Sequence, residues 1–101
     1  MARIPMTLAE FRTTLSSASP PAQLPAPLIA LWHDATGDWH AAHKVAQDIE
    51  GEDGAWIHAY LHRKEGDQGN AGYWYRRAGK LASTLALDAE WDQIATELLS
   101  R

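Results

Sequence analysis

Residues 56–80 read WIHAYLHRKEGDQGNAGYWYRRAGK, and the reading of this stretch decides the fold. Its first half places Trp56, Ile57, Tyr60 and Leu61 on one arc of a helix, at about 100° per residue. Gly66 and Asp67 then supply a stop and a start. Glycine suits the left-handed position after a helix, and aspartate accepts hydrogen bonds from the first-turn amides of the next one. In the second half Ala71, Trp74, Tyr75 and Ala78 again share a face, and Gly79 ends it. The stretch is predicted to be a helical hairpin with Gly66-Asp67 at its tip and its aromatic stripes turned inward.

The same chemistry appears upstream. ALWHDATGDWHAA (30–42) aligns with AYLHRKEGDQGNA (59–71) at an offset of 29 residues, pairing Ala30/Ala59, His33/His62, Gly37/Gly66, Asp38/Asp67 and Ala42/Ala71. A repeated Gly-Asp turn with alanine where two helices approach predicts two αα-hairpins. Their local geometry resembles tetratricopeptide repeats, although the period falls short of that family's roughly 34 residues and the signature proline is absent. Only the architecture carries over.

The flanks complete an all-α chain. Thr7 to Glu10 (TLAE) fits a capping box and starts a short helix reaching about Leu15. Ser16 to Pro27 is a Pro/Ser/Ala-rich connector, expected to run extended and to hold no helix, with Pro27 suited to the first position of the next helix. Asp53 is expected to cap the helix carrying WIHAYLHRKE, and Asp88 the last helix, 88–100. No segment alternates as a strand does. The expected fold is one domain, residues 1–101, forming a bundle of five to six helices around a two-hairpin core at 28–79.

Composition sets outer limits. A chain of 101 residues buries one modest core. Its five tryptophans, beside a single phenylalanine, read as core anchors. With no cysteine, disulfides, thiolate chemistry and cysteine-ligated metal are excluded. MARIPMTLAEF lacks the apolar centre of a signal peptide, and no stretch approaches the roughly 20 apolar residues of a membrane span. A cytoplasmic protein with no membrane partner is expected. The net charge of −4 is uneven: residues 63–80 hold five bases and two acids, the rest four bases and eleven acids. A basic island on an acidic chain is a poor match for nucleic acid.

Candidate site residues fall where the core pattern leaves off. His58, His62 and Glu65 lie within about 60° of one another on the arc opposite Trp56 and Tyr60. The histidines therefore face either solvent or a groove formed with another element. Imidazoles four residues apart can bind zinc or nickel, with Glu65 adding a carboxylate. Ala59 stands where the metalloprotease motif needs glutamate, so that chemistry is not supported. A further ligand would come from His43, His40, Asp38 or Asp34. The plain alternative is a pair of surface histidines, one hydrogen-bonded to a carboxylate. His43 sits beside Trp39 at the edge of an apolar arc, where packing alone explains most histidines. No serine or cysteine pairs with any of them in a triad motif. On the next helix Asn70, Tyr73 and Arg77 share a second face flanked by Arg76, a set able to hold a phosphate or carboxylate. Ion pairing and stacking on aromatic rings are the alternative there.

His62, Arg63, Glu65 and Asp67, followed by Asn70, Ala71, Tyr73, Trp74, Tyr75, Arg76, Arg77 and Gly79, resemble the core of a family of uncharacterised bacterial and fungal proteins. That family shares an HRxEGDxxNAxYWYRRxG-like run. Ala42 to His58 is similar as well, so the resemblance covers roughly residues 30 to 80. It brings no assigned activity and carries no catalytic residue over. It implies that the polar residues of the run belong to a shared pattern.

Three functions follow as expectations. The first is a non-catalytic binding module whose partner is a protein or a small anionic ligand, with Arg63, Asn70, Tyr73, Arg76 and Arg77 as ligand-binding residues. The second is a small enzyme or metal protein, with His58, His62 or His43 in catalysis, Arg63 or Arg77 holding an anionic ligand, and zinc or nickel as the only candidate cofactors. The third is a homo-oligomer that associates through exposed tryptophans.

Overall fold

The computed structural model of the chain describes residues 6–101. Among them the elements run α1 (Leu8–Thr13), a 3-10 turn (Thr14–Ser16), α2 (Ala26–Ala35), α3 (Trp39–Gln47), α4 (Glu52–Lys64), α5 (Gln68–Ala78) and α6 (Leu87–Leu99). The described residues contain no strand. The protein is an all-helical bundle built on two hairpins, α2–α3 and α4–α5. None of its described helices is long and apolar enough to cross a membrane.

The repeat in the sequence is a repeat of one turn. Gly37 and Gly66 both take left-handed φ values, 92° and 90°. Asp38 N–H donates to His33 O and Asp67 N–H to His62 O, each at 2.9 Å. Gly37 N–H donates to Asp34 O and Gly66 N–H to Arg63 O, each at 3.0 Å. This six-to-one and five-to-two pattern satisfies the last carbonyls of the leading helix. The aspartate that ends the motif then caps the following helix, Asp38 accepting from Ala41 N–H at 3.0 Å and Asp67 from Asn70 N–H at 3.1 Å. The matched alanines, Ala30, Ala42, Ala59 and Ala71, are all buried, which lets the paired helices approach closely.

Two expected caps lie elsewhere. α4 begins at Glu52 with Gly51 at its N-cap, so Asp53 is inside the first turn and accepts from Arg101 at 2.6 Å. α6 begins at Leu87 behind Ala86, which places Asp88 in the first turn with Glu90. In both helices the acid complements the partial positive charge of the N-terminus instead of accepting from a first-turn amide. The connector is not extended throughout: Ser16 closes the 3-10 turn, Leu24 N–H donates to Pro21 O at 3.3 Å in a second turn, and α2 starts at Ala26 with Pro27 in its first turn. Its Leu24 joins the core at 5% exposure. The TLAE capping box is present as expected, between Thr7 and Glu10.

α4 is the centre of the bundle. Every residue from Gly54 to His62 is buried, and the helix packs against α2, α3, α5 and α6. Gly54 allows this, because a Cβ at that position would stand 2.2 Å from the carbonyl oxygen of Ile49. The indole N–H groups tie the layers together. Trp39 donates to Leu61 O at 2.9 Å, joining α3 to α4. Trp91 donates to Leu31 O at 3.0 Å, joining α6 to α2, and its ring stacks on Phe11 of α1 at 5.6 Å. Trp32 donates to Thr14 O at 3.1 Å. Among the described residues the large exposed apolar side chains are Tyr73, Leu81 and Leu85; Trp32, Trp56 and Trp91 are buried, and Trp39 and Trp74 are partly buried.

A helix surrounded on all sides must find partners for its polar side chains inside the protein. Glu90 of α6, 1% exposed, accepts from Arg63 at 2.8 Å and from the hydroxyl of Tyr75. Arg63 also donates to Leu85 O. Asp34 of α2, 3% exposed, accepts from the Tyr60 hydroxyl at 2.8 Å and from Lys64 at 2.9 Å. Burial, the adjoining carboxylate and the hydrogen bond to it push both phenols well above the ordinary tyrosine range.

Two outcomes follow. Glu90→Ala strands a buried guanidinium and a phenol, so urea unfolding is expected to show a loss of about 3–5 kcal/mol. Glu90→Gln, which keeps an acceptor, is expected to lose less. The folded chain holds the Tyr60 and Tyr75 protons that the unfolded chain releases above about pH 10. Stability is therefore full below about pH 10 and falls as pH rises further. Phenolate absorbance from these two residues should appear together with the loss of helical circular dichroism, not before it.

Candidate functional site

His58 and His62 do not face solvent. They project from α4 into the groove between α3 and α5, with exposures of 6% and 8%. α3 brings His43 into the same groove, and the ligand atoms of His43, His58 and His62 all lie within 4.8 Å of one another. The rings interlock. His43 stands edge-on to His58 at 4.9 Å and to His62 at 5.3 Å, while His58 and His62 are nearly parallel at 5.9 Å. Aromatic walls close both ends: Trp39 stacks on His43 at 4.9 Å, and Trp74 stacks on His58 at 4.1 Å.

Each position has a local cause. The i, i+4 spacing on α4 sets His58 and His62 one turn apart on the same side. The Trp39 N–H bond to Leu61 O holds α3 against that side, and His43 follows Trp39 by one turn. Glu65, the C-cap of α4, turns back so that its Oε1 lies 2.6 Å from His62 Nδ1. A carboxylate only accepts, so the proton of this bond sits on Nδ1 and Nε2 is the ring nitrogen left to face the groove. The other hairpin has Ile29 and Thr36 at the positions matching His58 and Glu65, and the Thr36 hydroxyl bonds Trp32 O and His33 O. The two hairpins share a turn, but only the second builds this cluster.

The electrostatics disfavour a charge on His58 and His43. Burial, reinforced by His43 and His62, pulls the His58 pKa down to about 4. Burial and then His62 lower that of His43, against a smaller opposing pull from Glu65. The Nδ1 atom of His58 is buried and has no hydrogen-bond partner, the single such side-chain atom among the described residues. An orphaned lone pair or N–H at this depth costs roughly 1–3 kcal/mol.

The other expected site residues separate into three groups. Arg63 is committed to Glu90 and Leu85, away from the histidines. Asp34 is likewise held by Tyr60 and Lys64, and Asp38 caps α3, so neither completes a metal site. His40 is exposed and touches only the edge of Trp39. Asn70 bonds the Asp67 carboxylate at 3.4 Å, and Arg76 is exposed. Tyr73 and Arg77 do act together: Arg77 donates to the Tyr73 hydroxyl at 3.0 Å and lies over the rings of Tyr73 and Trp74 at 5.7 and 5.5 Å. A cavity of about 430 Å³ opens beside them, reaching His58 and walled by Ala55, Trp74, Arg77, Glu50 and Glu52. The two glutamates escaped the sequence reading because they flank Gly51 at the break between two helices, where local pattern shows only a turn.

No family model, curated protein or solved structure matches this chain.

The depressed His58 value sets an acid limb. Around the ring stand His43 from α3, His62 and Glu65 from α4 and its cap, and Arg77 from α5. Below about pH 6.5 the unfolded chain takes up a proton that folded His58 refuses until about pH 4. Stability at this group is full above that window and lost through it, by an amount on the order of 2–3 kcal/mol. Thermal melts in a chelating buffer at about pH 7 and about pH 4.5 are expected to show the drop. His58→Phe, which keeps a ring against Trp74 but cannot titrate, is expected to show a smaller one; an equal drop in the variant would assign the acid sensitivity to other groups.

Proposed function

We propose that this protein is a small helical metal-binding module, holding one divalent transition ion of the zinc class on His43, His58 and His62. The observation that carries the reading is the approach of three histidine ligand atoms to within 4.8 Å, two of them on a buried helix face. Zinc bonds imidazole nitrogen at roughly 2.0–2.1 Å, which needs nitrogens about 3.3 Å apart in a tetrahedron. Binding therefore requires the three rings to draw together within the groove. A chain with no cysteine has imidazole and carboxylate as its ligand choices, and imidazole suits zinc, copper and nickel.

Three further features support the reading. Lone pairs are available near neutral pH, because His43 and His58 resist protonation. The orphaned Nδ1 of His58 would gain a partner if it faced the ion. Glu65 acts through His62, the carboxylate–histidine arrangement that orients a ligand ring and raises its basicity. Three protein ligands leave one zinc position open, which admits water or a small ligand. The broader expectation of a binding module thus becomes one with a metal as its primary ligand. Any anion recognition then falls to Arg77, because Arg63 is already paired.

Cobalt(II) titration of chelator-treated protein tests this. One equivalent is expected to give the visible absorption of a tetrahedral site, displaced by zinc. Zinc at a hundredfold its dissociation constant adds about 2.7 kcal/mol, a rise in melting temperature of roughly 10 °C or more. His43→Ala, His58→Ala and His62→Ala are each expected to abolish the signal. Glu65→Gln leaves the ligands in place and is expected to weaken binding about 10–100-fold. A folded wild-type protein that gives no cobalt spectrum, or alanine variants that bind as well as wild type, would end the metal reading.

A further inference from the structure

The cavity beside the histidines carries charges of both signs that do not neutralise one another. Arg77, Glu50 and Glu52 all line it. Among the described residues none of the three has an ion-pair partner, although six lysine or arginine pairs with carboxylates form elsewhere. The Arg77 guanidinium is held in place, however: the Tyr73 hydroxyl accepts from one of its nitrogens at 3.0 Å, and the Trp74 ring lies beneath it at 5.5 Å. Trp74 is in turn fixed by stacking on the buried ring of His58 at 4.1 Å. An arginine whose fork is oriented by aromatic contacts but not consumed by a carboxylate is prepared for a bidentate acceptor. The volume, about 430 Å³, falls in the range of small-ligand sites and below what a folded partner needs.

From this we infer that the cavity binds a small zwitterion, a free amino acid or a very short peptide, with its carboxylate on Arg77 and its ammonium toward Glu50 and Glu52. An acidic peptide or a phosphate would gain Arg77 but meet two uncompensated carboxylates at the same opening. A simple amine would face the guanidinium. A ligand carrying both charges satisfies both signs. The inference does not depend on the metal, since no residue it uses for charge recognition is a histidine.

The test is a nitrogen–proton correlation spectrum of chelator-treated protein titrated to millimolar concentration, where a dissociation constant near 1 mM corresponds to about −4.1 kcal/mol. The probes are L-alanine, L-alanyl-L-alanine, its N-acetyl form and its C-terminal amide. The zwitterions are expected to shift the Trp74 indole and Arg77 guanidinium signals, and to bind at least tenfold tighter than either blocked form. L-alanine against the dipeptide separates a free amino acid from a peptide end. Arg77→Gln is expected to erase the difference between acid and amide only. The double variant Glu50→Gln with Glu52→Gln is expected to erase the difference between amine and acetyl only. All three side chains are exposed, so these variants should fold. Equal binding of zwitterion and blocked forms, no shift at Trp74 and Arg77, or shifts confined to another surface would each overturn the inference. Repeating the titration on the zinc-loaded protein shows whether the two ligands share the cavity. Failure there, with binding intact in the metal-free protein, touches only the metal reading.

Discussion

The bundle depends on one constraint: α4 has no face left for water. Nine consecutive residues of that helix are buried, so the polar groups it carries must be satisfied by its neighbours. On one side the requirement is met by charge. Arg63 reaches Glu90 of α6 and Lys64 reaches Asp34 of α2, while two tyrosine hydroxyls occupy the remaining carboxylate oxygens. These pairs connect helices that the local sequence does not connect. They fix how α2 and α6 sit against the hairpin, and they explain why acids appear inside the core of a small protein. Replacing such pairs with apolar side chains is often neutral or better for stability. Their consequence here is register more than net stabilisation.

On the other side of α4 the same requirement is met chiefly by stacking. His58 and His62 are accommodated by stacking, between Trp39, His43 and Trp74, and by a single carboxylate at the helix end. One buried ring nitrogen is left over. The contrast between the two sides is informative. Where α4 meets α2 and α6, every buried polar group has a partner. Where it meets α3 and α5, one does not, and three ligating side chains converge beside it. The one buried side-chain atom left without a partner among the described residues lies beside three imidazoles, and the proposed metal site draws its support from that exception.

The repeat shows how such a site arises on a common scaffold. Both hairpins keep the Gly-Asp turn and the small residues at the crossing, because those positions are set by backbone geometry. The faces differ. The first hairpin spends its matching positions on Ile29 and Thr36, an apolar contact and a local backbone bond. The second carries His58 and Glu65. Since α4 lies at the centre and α2 toward the edge, the variable positions of the second hairpin face a groove between two other helices, and those of the first do not.

Local rules in the sequence determined the helices, the two hairpin turns, the first capping box and the inward aromatic stripes. Turn and cap preferences act over a few residues, and periodicity reports which side of each helix is apolar. The histidines could be placed opposite the aromatic stripe on the same grounds. The sequence left solvent and groove open, with surface histidines the plainer reading, because periodicity assumes a helix with one wet side, and α4 has none. Tertiary structure decided the rest. It drew Arg63 into a buried pair with Glu90, 27 residues away. It moved the caps of α4 and α6 off the aspartates and set His43 across the groove from His58. It also brought Glu50 and Glu52 to the same cavity as Arg77. Each of these depends on how helices cross, and that geometry comes from the packing of the whole core.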